Sequence, residues 1–225
     1  MKYYAIVVAG GSGSRMQNTI AKQFLVLKGK PILMHTLEAF QRCSLNPEIL
    51  LVLNAGQHEY WNTICNTYKF AVPHRVVEAG TQRFDSVKNG LNEIHGDGIV
   101  AVHDAVRPLV SPELILKSFE VAEEKGSAVT GVHPTDSIRR ITADLNTEMM
   151  NRDAVVLIQT PQTFNLKILR EAYEEPYKSE FTDDASVVEQ AGFKINLIDG
   201  ERTNLKITYP EDMEIAALLL NKRGL

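Results

Sequence analysis

Short apolar, β-branched runs alternate along this chain with longer stretches in which apolar residues return every three or four positions. "YYAIVVA" (3–9) precedes "PILMHTLEAFQRC" (31–43), "EILLVLN" (48–54) precedes "HEYWNTICNTY" (58–68), and "HRVVEA" (74–79) precedes "TQRFDSVKNGLNEI" (81–94). A compact apolar run reads as a strand and the 3.6-residue period as an amphipathic helix, so the series predicts repeated βαβ units. "GIVAVHD" (98–104) is apolar without alternation, as suits a strand buried on both faces. The next helix is predicted over "SPELILKSFEVAEEKG" (111–126), with Ser111 as cap, Pro112 in the first turn and Gly126 as the stop. Right-handed crossovers then imply a mostly parallel sheet, with ligands gathered at the carboxyl ends of its strands.

The rhythm changes after "SAVTGVH" (127–133). "SIRRITADLNTEMMNRDAVVLIQTPQTF" reads as two short strands about a polar turn, and residues 137–159 are assigned to a projecting β-arm. Helical patterning resumes with "NLKILREAYEE" and "TDDASVVEQAG". A strand "KINLIDG" follows, then a last helix from Pro210 with acidic residues in its first turn, basic ones in its last and a glycine stop. No Pro/Ser-rich linker divides the chain. The expectation is one α/β, Rossmann-like domain over 1–225, a twisted sheet with helices on both faces plus the arm.

Composition narrows the function classes. With 24 basic and 28 acidic residues the net charge is −4, which argues against a general grip on nucleic acid but leaves room for a local cationic pocket. Cys43 and Cys65 form neither a CxxC pair nor a metal-ligand spacing, which fits a reduced, cytoplasmic setting. The apolar run "IAALLL" is far shorter than the roughly 20 residues a bilayer requires, so no membrane span is expected.

Candidate chemistry begins at "VVAGGSGSRMQNTIAKQF" (7–24). No GxxxxGK[ST] spacing occurs, and GxGxxG from Gly11 fails at Met16, which weakens both the Walker A and the dinucleotide readings. What remains is a strand leading into Gly10, Gly11 and Gly13, whose amides can approach oxyanions, with Arg15 and Lys22 supplying fixed charge. That suits a triphosphate; a plain tight turn with solvated basic residues is the alternative. In "VHDAVRP" (102–108), Asp104 can hold Mg²⁺ through oxygen and Arg107 can meet a second anion, or the two can be a cap and an exposed arginine. His103 is read as a packed residue without chemistry.

"AGGSGSRM…KQF", "AGTQRFDSV", "VHDAVRP", "NRD", "QTPQTF", "TDDAS" and "NLKIT" together resemble, in order and across almost the whole chain, the 2-C-methyl-D-erythritol 4-phosphate cytidylyltransferase family of sugar-alcohol phosphate cytidylyltransferases. The resemblance implies transfer of CMP from CTP to the alcohol phosphate with release of pyrophosphate, with Mg²⁺ as cofactor. It assigns catalysis to Arg15, Lys22, Arg152 and Lys206, and CTP binding to Ala9, Gly10, Gly11, Gly13, Gly80, Thr81, Ser86 and Ala105. Base reading falls to Ala9, Gly80 and Ser86, with Thr81 near the ribose. The second substrate is assigned to Asp104, Arg107, Ser137, Arg152, Thr160 and Lys206, with Asp104 also the metal ligand. Ser137 and Arg152 on the arm match positions that reach across a two-fold homodimer in that family. Each has a structural alternative: Ser86 a hydroxyl of a helix first turn, Lys206 an exposed strand edge, Arg152 a solvated arm residue, and Asp183 or Asp184 a helix cap.

Ala21 stands where the family usually has proline, Ser14 where a basic residue is common, and Ser137 where threonine is usual. Ribitol 5-phosphate cytidylyltransferases share "AGG", "KQF", "HDAVRP" and "TPQ", and a nucleotide-binding regulator without turnover is a further alternative. "RFDSV", "NRD" and "TDDASVVE" favour methylerythritol phosphate.

Overall fold

The computed structural model describes residues 1–11 and 20–223. In chain order it contains β1 (Tyr3–Val8), β2 (Val26–Leu27), β3 (Lys30–Pro31), α1 (Ile32–Gln41), β4 (Glu48–Leu53), α2 (His58–Tyr68), β5 (Arg75–Glu78), α3 (Arg83–Asn92) and β6 (Ile99–Asp104). Then follow α4 (Pro112–Lys125), β7 (Ser127–Val132), β8 (Ile138–Ile141), β9 (Thr147–Met150), β10 (Leu157–Asn165), α5 (Leu166–Ala172), α6 (Asp184–Gln190), β11 (Leu197–Asp199) and α7 (Pro210–Lys222).

Seven strands form one sheet in the order β11-β7-β10-β6-β1-β4-β5. β10 runs antiparallel to both its neighbours, β6 and β7, and the other pairings are parallel. The architecture is thus the mostly parallel Rossmann-like α/β fold expected. Strand pleating sends alternate residues to opposite faces. Ala5 and Val7 of β1 join Leu37, Phe40, Trp61 and Phe119 on the side of α1, α2 and α4. Tyr4 and Ile6 join Phe84, Val87, Leu169 and Val188 on the side of α3, α5 and α6. Each fully buried side chain of this size contributes roughly 1.5–3 kcal/mol, so the two layers are what hold the strand ends in place.

The cap of α4 is as predicted: the Ser111 hydroxyl accepts from the Leu114 amide at 3.0 Å, and Gly126 closes the helix with φ +87°. The last helix starts at Pro210 as expected, while its glycine stop, Gly224, lies outside the described residues.

The arm is smaller than the sequence suggests. Among the described residues its strands, β8 and β9, pair only with each other, and Ile141, Met149 and Met150 on them and Leu145 in the turn between are exposed, but residues 157–159 belong to β10 in the main sheet. Polar composition disguises that strand. Gln159, Thr160, Gln162 and Thr163 are all buried, because side-chain hydrogen bonds satisfy them: Gln159 donates to the Glu201 carbonyl, Thr163 to Ser118, and Gln162 to Asp183. Similarly, "KINLIDG" supplies only the three residues of β11.

Candidate functional site

Pairing register brings the working ends of the strands level. Val8 of β1 is opposite Asp104 of β6 and Val52 of β4, and Leu53 is opposite Glu78 of β5. The turns leaving these strands border a cavity of about 330 Å³, at the carboxyl edge where such sheets bind ligands. Of the residues singled out in the sequence, Ala9, Gly10, Gly11, Lys22, Gly80, Thr81, Ser86, Asp104, Ala105 and Lys206 line it. Gly13 and Arg15 lie outside the described residues.

Two of the lining glycines stand where the chain is closely packed. A Cβ on Gly10 would lie 2.8 Å from the Ala79 Cβ, and one on Gly80 only 2.2 Å from the Asp85 Cβ, closer than side chains approach. The turn after β5 is pressed against the start of α3, where the Gln82 amide donates to the Asp85 carboxylate at 3.0 Å. Ser86 completes this turn by accepting from the Gly80 amide and donating to the Gln82 carbonyl, at 3.1 and 3.0 Å. Its hydroxyl therefore has the local role of a first-turn residue and also borders the cavity.

Charge is concentrated around Asp104. Lys206 Nζ lies 3.0 Å from one carboxylate oxygen and Arg107 Nε 3.3 Å from the same oxygen, while Arg83 Nε is 3.9 Å from the other. Burial alone would raise the carboxyl pKa. Lys206, then Arg83 and Arg107, overcome it and hold the group well below the usual carboxylate range. Asp104 is consequently an anion at any physiological pH. Its amide donates to the hydroxyl of Thr160, which is buried behind it. Arg107 is buried too, donating to the Asn204 carbonyl at 2.8 Å, so it braces Asp104 instead of standing exposed.

Lys206 comes from no strand. The extended segment carrying it is docked by the Ile207 amide on the Val106 carbonyl, which leaves the lysine half-exposed at the cavity mouth. Lys22 approaches the same segment, donating to the Ile207 carbonyl at 3.2 Å. Its backbone is fixed by the buried Gln23 and Phe24 in a 3₁₀ turn, where Phe24 meets Tyr60 edge-on at 5.2 Å.

Gln23, Gln82 and Arg83 also line the cavity, although the sequence reading did not select them. Arg83 stands at the first position of α3 and grips Asp184 through two parallel hydrogen bonds of 2.9 and 2.7 Å. Burial works against its charge, but Asp184 and then Asp104 outweigh it and raise the guanidinium pKa. Asp184 is fully buried and also accepts from Tyr173 at 2.6 Å, whereas its neighbour Asp183 caps α6 on the Ser186 amide. The available signal was Gln82 three residues ahead of Asp85, which marks a helix start at a strand's carboxyl end and puts Arg83 beside the pocket.

His103 is fully buried against Phe40, with the rings 5.1 Å apart and edge-on. Burial pushes its pKa down to about 3, so it is neutral at physiological pH and matches the packed role expected. Ser137 and Arg152 are exposed on the arm and do not line the cavity; Arg152 donates to the Thr135 carbonyl at 2.9 Å.

Asp104 is the sole carboxylate among the described lining residues, and no cluster of three or more His, Cys, Asp or Glu residues forms among the described residues. Mg²⁺ is commonly held by one or two carboxylates together with substrate phosphates, and this donor set fits only that kind of site.

A family model described as 2-C-methyl-D-erythritol 4-phosphate cytidylyltransferase matches residues 3–222. Proteins of that name from Porphyromonas gingivalis and Phocaeicola vulgatus are 47% and 44% identical to this chain, covering 97% and 98% of it and 98% and 100% of their own lengths. Among solved structures, 4-diphosphocytidyl-2C-methyl-D-erythritol synthase from Anaerococcus prevotii superposes with a TM-score of 0.84 at 31% identity, covering 98% of this chain and 96% of its own. The cytidylyltransferase from Thermus thermophilus gives 0.79 at 29% identity, over 98% and 100%. The sequence match, its length and the shared fold lead to one conclusion: the chain belongs to the 2-C-methyl-D-erythritol 4-phosphate cytidylyltransferase family.

Proposed function

We propose the following division of labour for the reaction of that family, the transfer of CMP from CTP to 2-C-methyl-D-erythritol 4-phosphate. The products are 4-diphosphocytidyl-2-C-methyl-D-erythritol and pyrophosphate, and the step serves non-mevalonate isoprenoid precursor synthesis. The observation that carries the reading is the set of cations, Lys22, Arg83 and Lys206, lining a glycine-walled cavity around one ionised aspartate. The base lies against Ala9, Gly10, Gly80 and Ser86, with Thr81 near the ribose and Ala105 beside the nucleotide. The triphosphate is met by Gly11 and Lys22, and the same motif supplies Gly13 and Arg15 for it.

The attacking phosphate is already an anion, so no general base or covalent nucleophile is needed. Charge builds on the nonbridging oxygens and on the departing pyrophosphate, and preorganised cations are the main source of rate. Lys22 and Arg15 meet that charge, while Lys206 and Arg152 hold the incoming phosphate, with Arg107, Thr160 and Ser137 supporting that end. Asp104 is the residue to hold Mg²⁺ with the triphosphate. When bound, the ion supplies charge neutralisation and polarisation of phosphoryl oxygen. Lys206 must then share Asp104 with it.

Arg152 acts from the arm of a second copy in a homodimer. Support comes from the hairpin itself, which exposes four large apolar side chains, Ile141, Leu145, Met149 and Met150, on a narrow projection. Replacing Arg152 by alanine should raise the KM for the alcohol phosphate roughly tenfold or more, the value of one charge-assisted phosphate contact, and leave CTP binding unchanged. Steady-state kinetics with each substrate varied would check this, and an unchanged alcohol-phosphate KM removes Arg152 from the site. The free thiols of Cys43 and Cys65 support a cytoplasmic setting, and no helix among the described residues is long and apolar enough to cross a membrane.

The deciding experiment is Mg²⁺-dependent pyrophosphate release with methylerythritol phosphate and ribitol 5-phosphate supplied separately, each with CTP, UTP, ATP or GTP. Preference for CTP with methylerythritol phosphate is the expected result. Preference for ribitol phosphate moves the protein to another alcohol, and silence with both rejects the reading.

A further inference from the structure

Ala9 and Gly10 both line the cavity, and the main-chain carbonyl of each is held by a side-chain amide reaching in from another element. Gln23 Nε2 donates to the Ala9 carbonyl at 2.9 Å, and Asn54 Nδ2 donates to the Gly10 carbonyl at 3.0 Å. The Gln23 amide is itself fixed, because Nε2 also donates to Gln57 Oε1 at 3.1 Å and the side chain is only 2% exposed. The Ala9 amide is held from the other side by the Val52 carbonyl at 2.8 Å. Successive peptide planes at the end of β1 are therefore locked by partners from the Lys22–Phe24 turn and from the end of β4. A carbonyl oxygen has two acceptor sites, so each retains one after accepting its amide.

We propose that Gln23 and Asn54 are positioning residues that set the base selectivity of this site, aiming the Ala9 and Gly10 carbonyls as a fixed pair of acceptors for an exocyclic amino group. The inference rests on the nucleotide-site reading above. A pyrimidine with an amino group at position 4 offers a donor to such a wall. One with an oxygen there presents a second acceptor and is repelled, which separates cytosine from uracil at position 4 by main-chain groups. Discrimination by a rigid hydrogen-bonding wall is strong because the mismatched base leaves buried polar groups unpaired. Any freedom in the Ala9 and Gly10 planes lets a carbonyl turn away and weakens that penalty.

Gln23→Glu tests this, since it preserves size but replaces the donor facing Ala9 and Gln57 with an acceptor. The expected result is at least a tenfold fall in the ratio of kcat/KM for CTP to that for UTP, with the alcohol-phosphate KM unchanged. Gln23→Met, which fills the space without a donor, and Asn54→Leu should lower the same ratio, so the test survives if one variant fails to fold. Equal losses with CTP and UTP, leaving the ratio as in the wild type, would overturn the proposal and make both amides structural. A wild-type enzyme that did not prefer CTP would instead defeat the nucleotide reading on which the inference rests.

Discussion

Replacing Lys22 by alanine should lower kcat by roughly 10²–10³ while changing the Kd for CTP by a far smaller factor, the magnitude seen when one preorganised donor to a developing oxyanion is removed. Lysine at this position is unusually well placed for such a role. Its backbone sits in a turn anchored by buried Gln23 and Phe24, and its ammonium is already beside the Ile207 carbonyl at the cavity mouth. Because the triphosphate in the ground state is also met by the other cations of the site, the loss should appear mainly when charge moves to the departing pyrophosphate. Single-turnover rates combined with equilibrium CTP binding separate the two effects. A fall in CTP binding with the saturating single-turnover rate unchanged would make Lys22 a uniform ligand, and near-normal kinetics would remove it from the mechanism.

The split between legible and illegible parts of this protein follows physical lines. The strands β1, β4 and β6 and the helix α4 were readable because their burial depends on apolar side chains and their ends carry local signals such as Ser111, Pro112 and Gly126. β10 was not, because its interior positions are glutamines and threonines whose partners, Glu201, Ser118 and Asp183, are distant in sequence. Composition alone made that segment look like an arm strand. The same logic applies at the site. Gly10, Gly11, Gly80, Lys22 and Lys206 were singled out within their motifs and line the cavity, whereas Gln23 and Arg83, although inside "KQF" and "AGTQRFDSV", owe their placement to contacts 14 and 101 residues away. Arg107 was legible as part of a motif, but its burial beneath Asp104 was not, since a motif gives no exposure.

The pair formed by Arg83 and Asp184 should respond asymmetrically to substitution. Asp184 is fully buried, so Arg83→Met leaves a carboxylate with the Tyr173 hydroxyl as its one side-chain partner among the described residues, and removing one member of a buried ion pair typically costs about 3–5 kcal/mol. Asp184→Asn is milder. It keeps an acceptor for Tyr173, and the freed arginine, whose side chain is 31% exposed, can turn to solvent or to Asp104, 3.9 Å away. A loss of about 1–3 kcal/mol is expected there, the scale of a charge-assisted hydrogen bond. Combining Arg83→Met with Asp184→Leu should recover most of the loss caused by the first change, because an apolar pair leaves no buried charge uncompensated. Urea unfolding of the three variants at neutral pH measures all of this in one series. If Arg83→Met costs no more than Asp184→Asn, or if the double variant is no more stable than Arg83→Met alone, then Arg83 is not the counter-charge that permits Asp184 to be buried. If the asymmetry holds, stability of the fold and placement of a cation at the active site depend on the same pair, because the arginine that neutralises Asp184 is the one held beside Asp104.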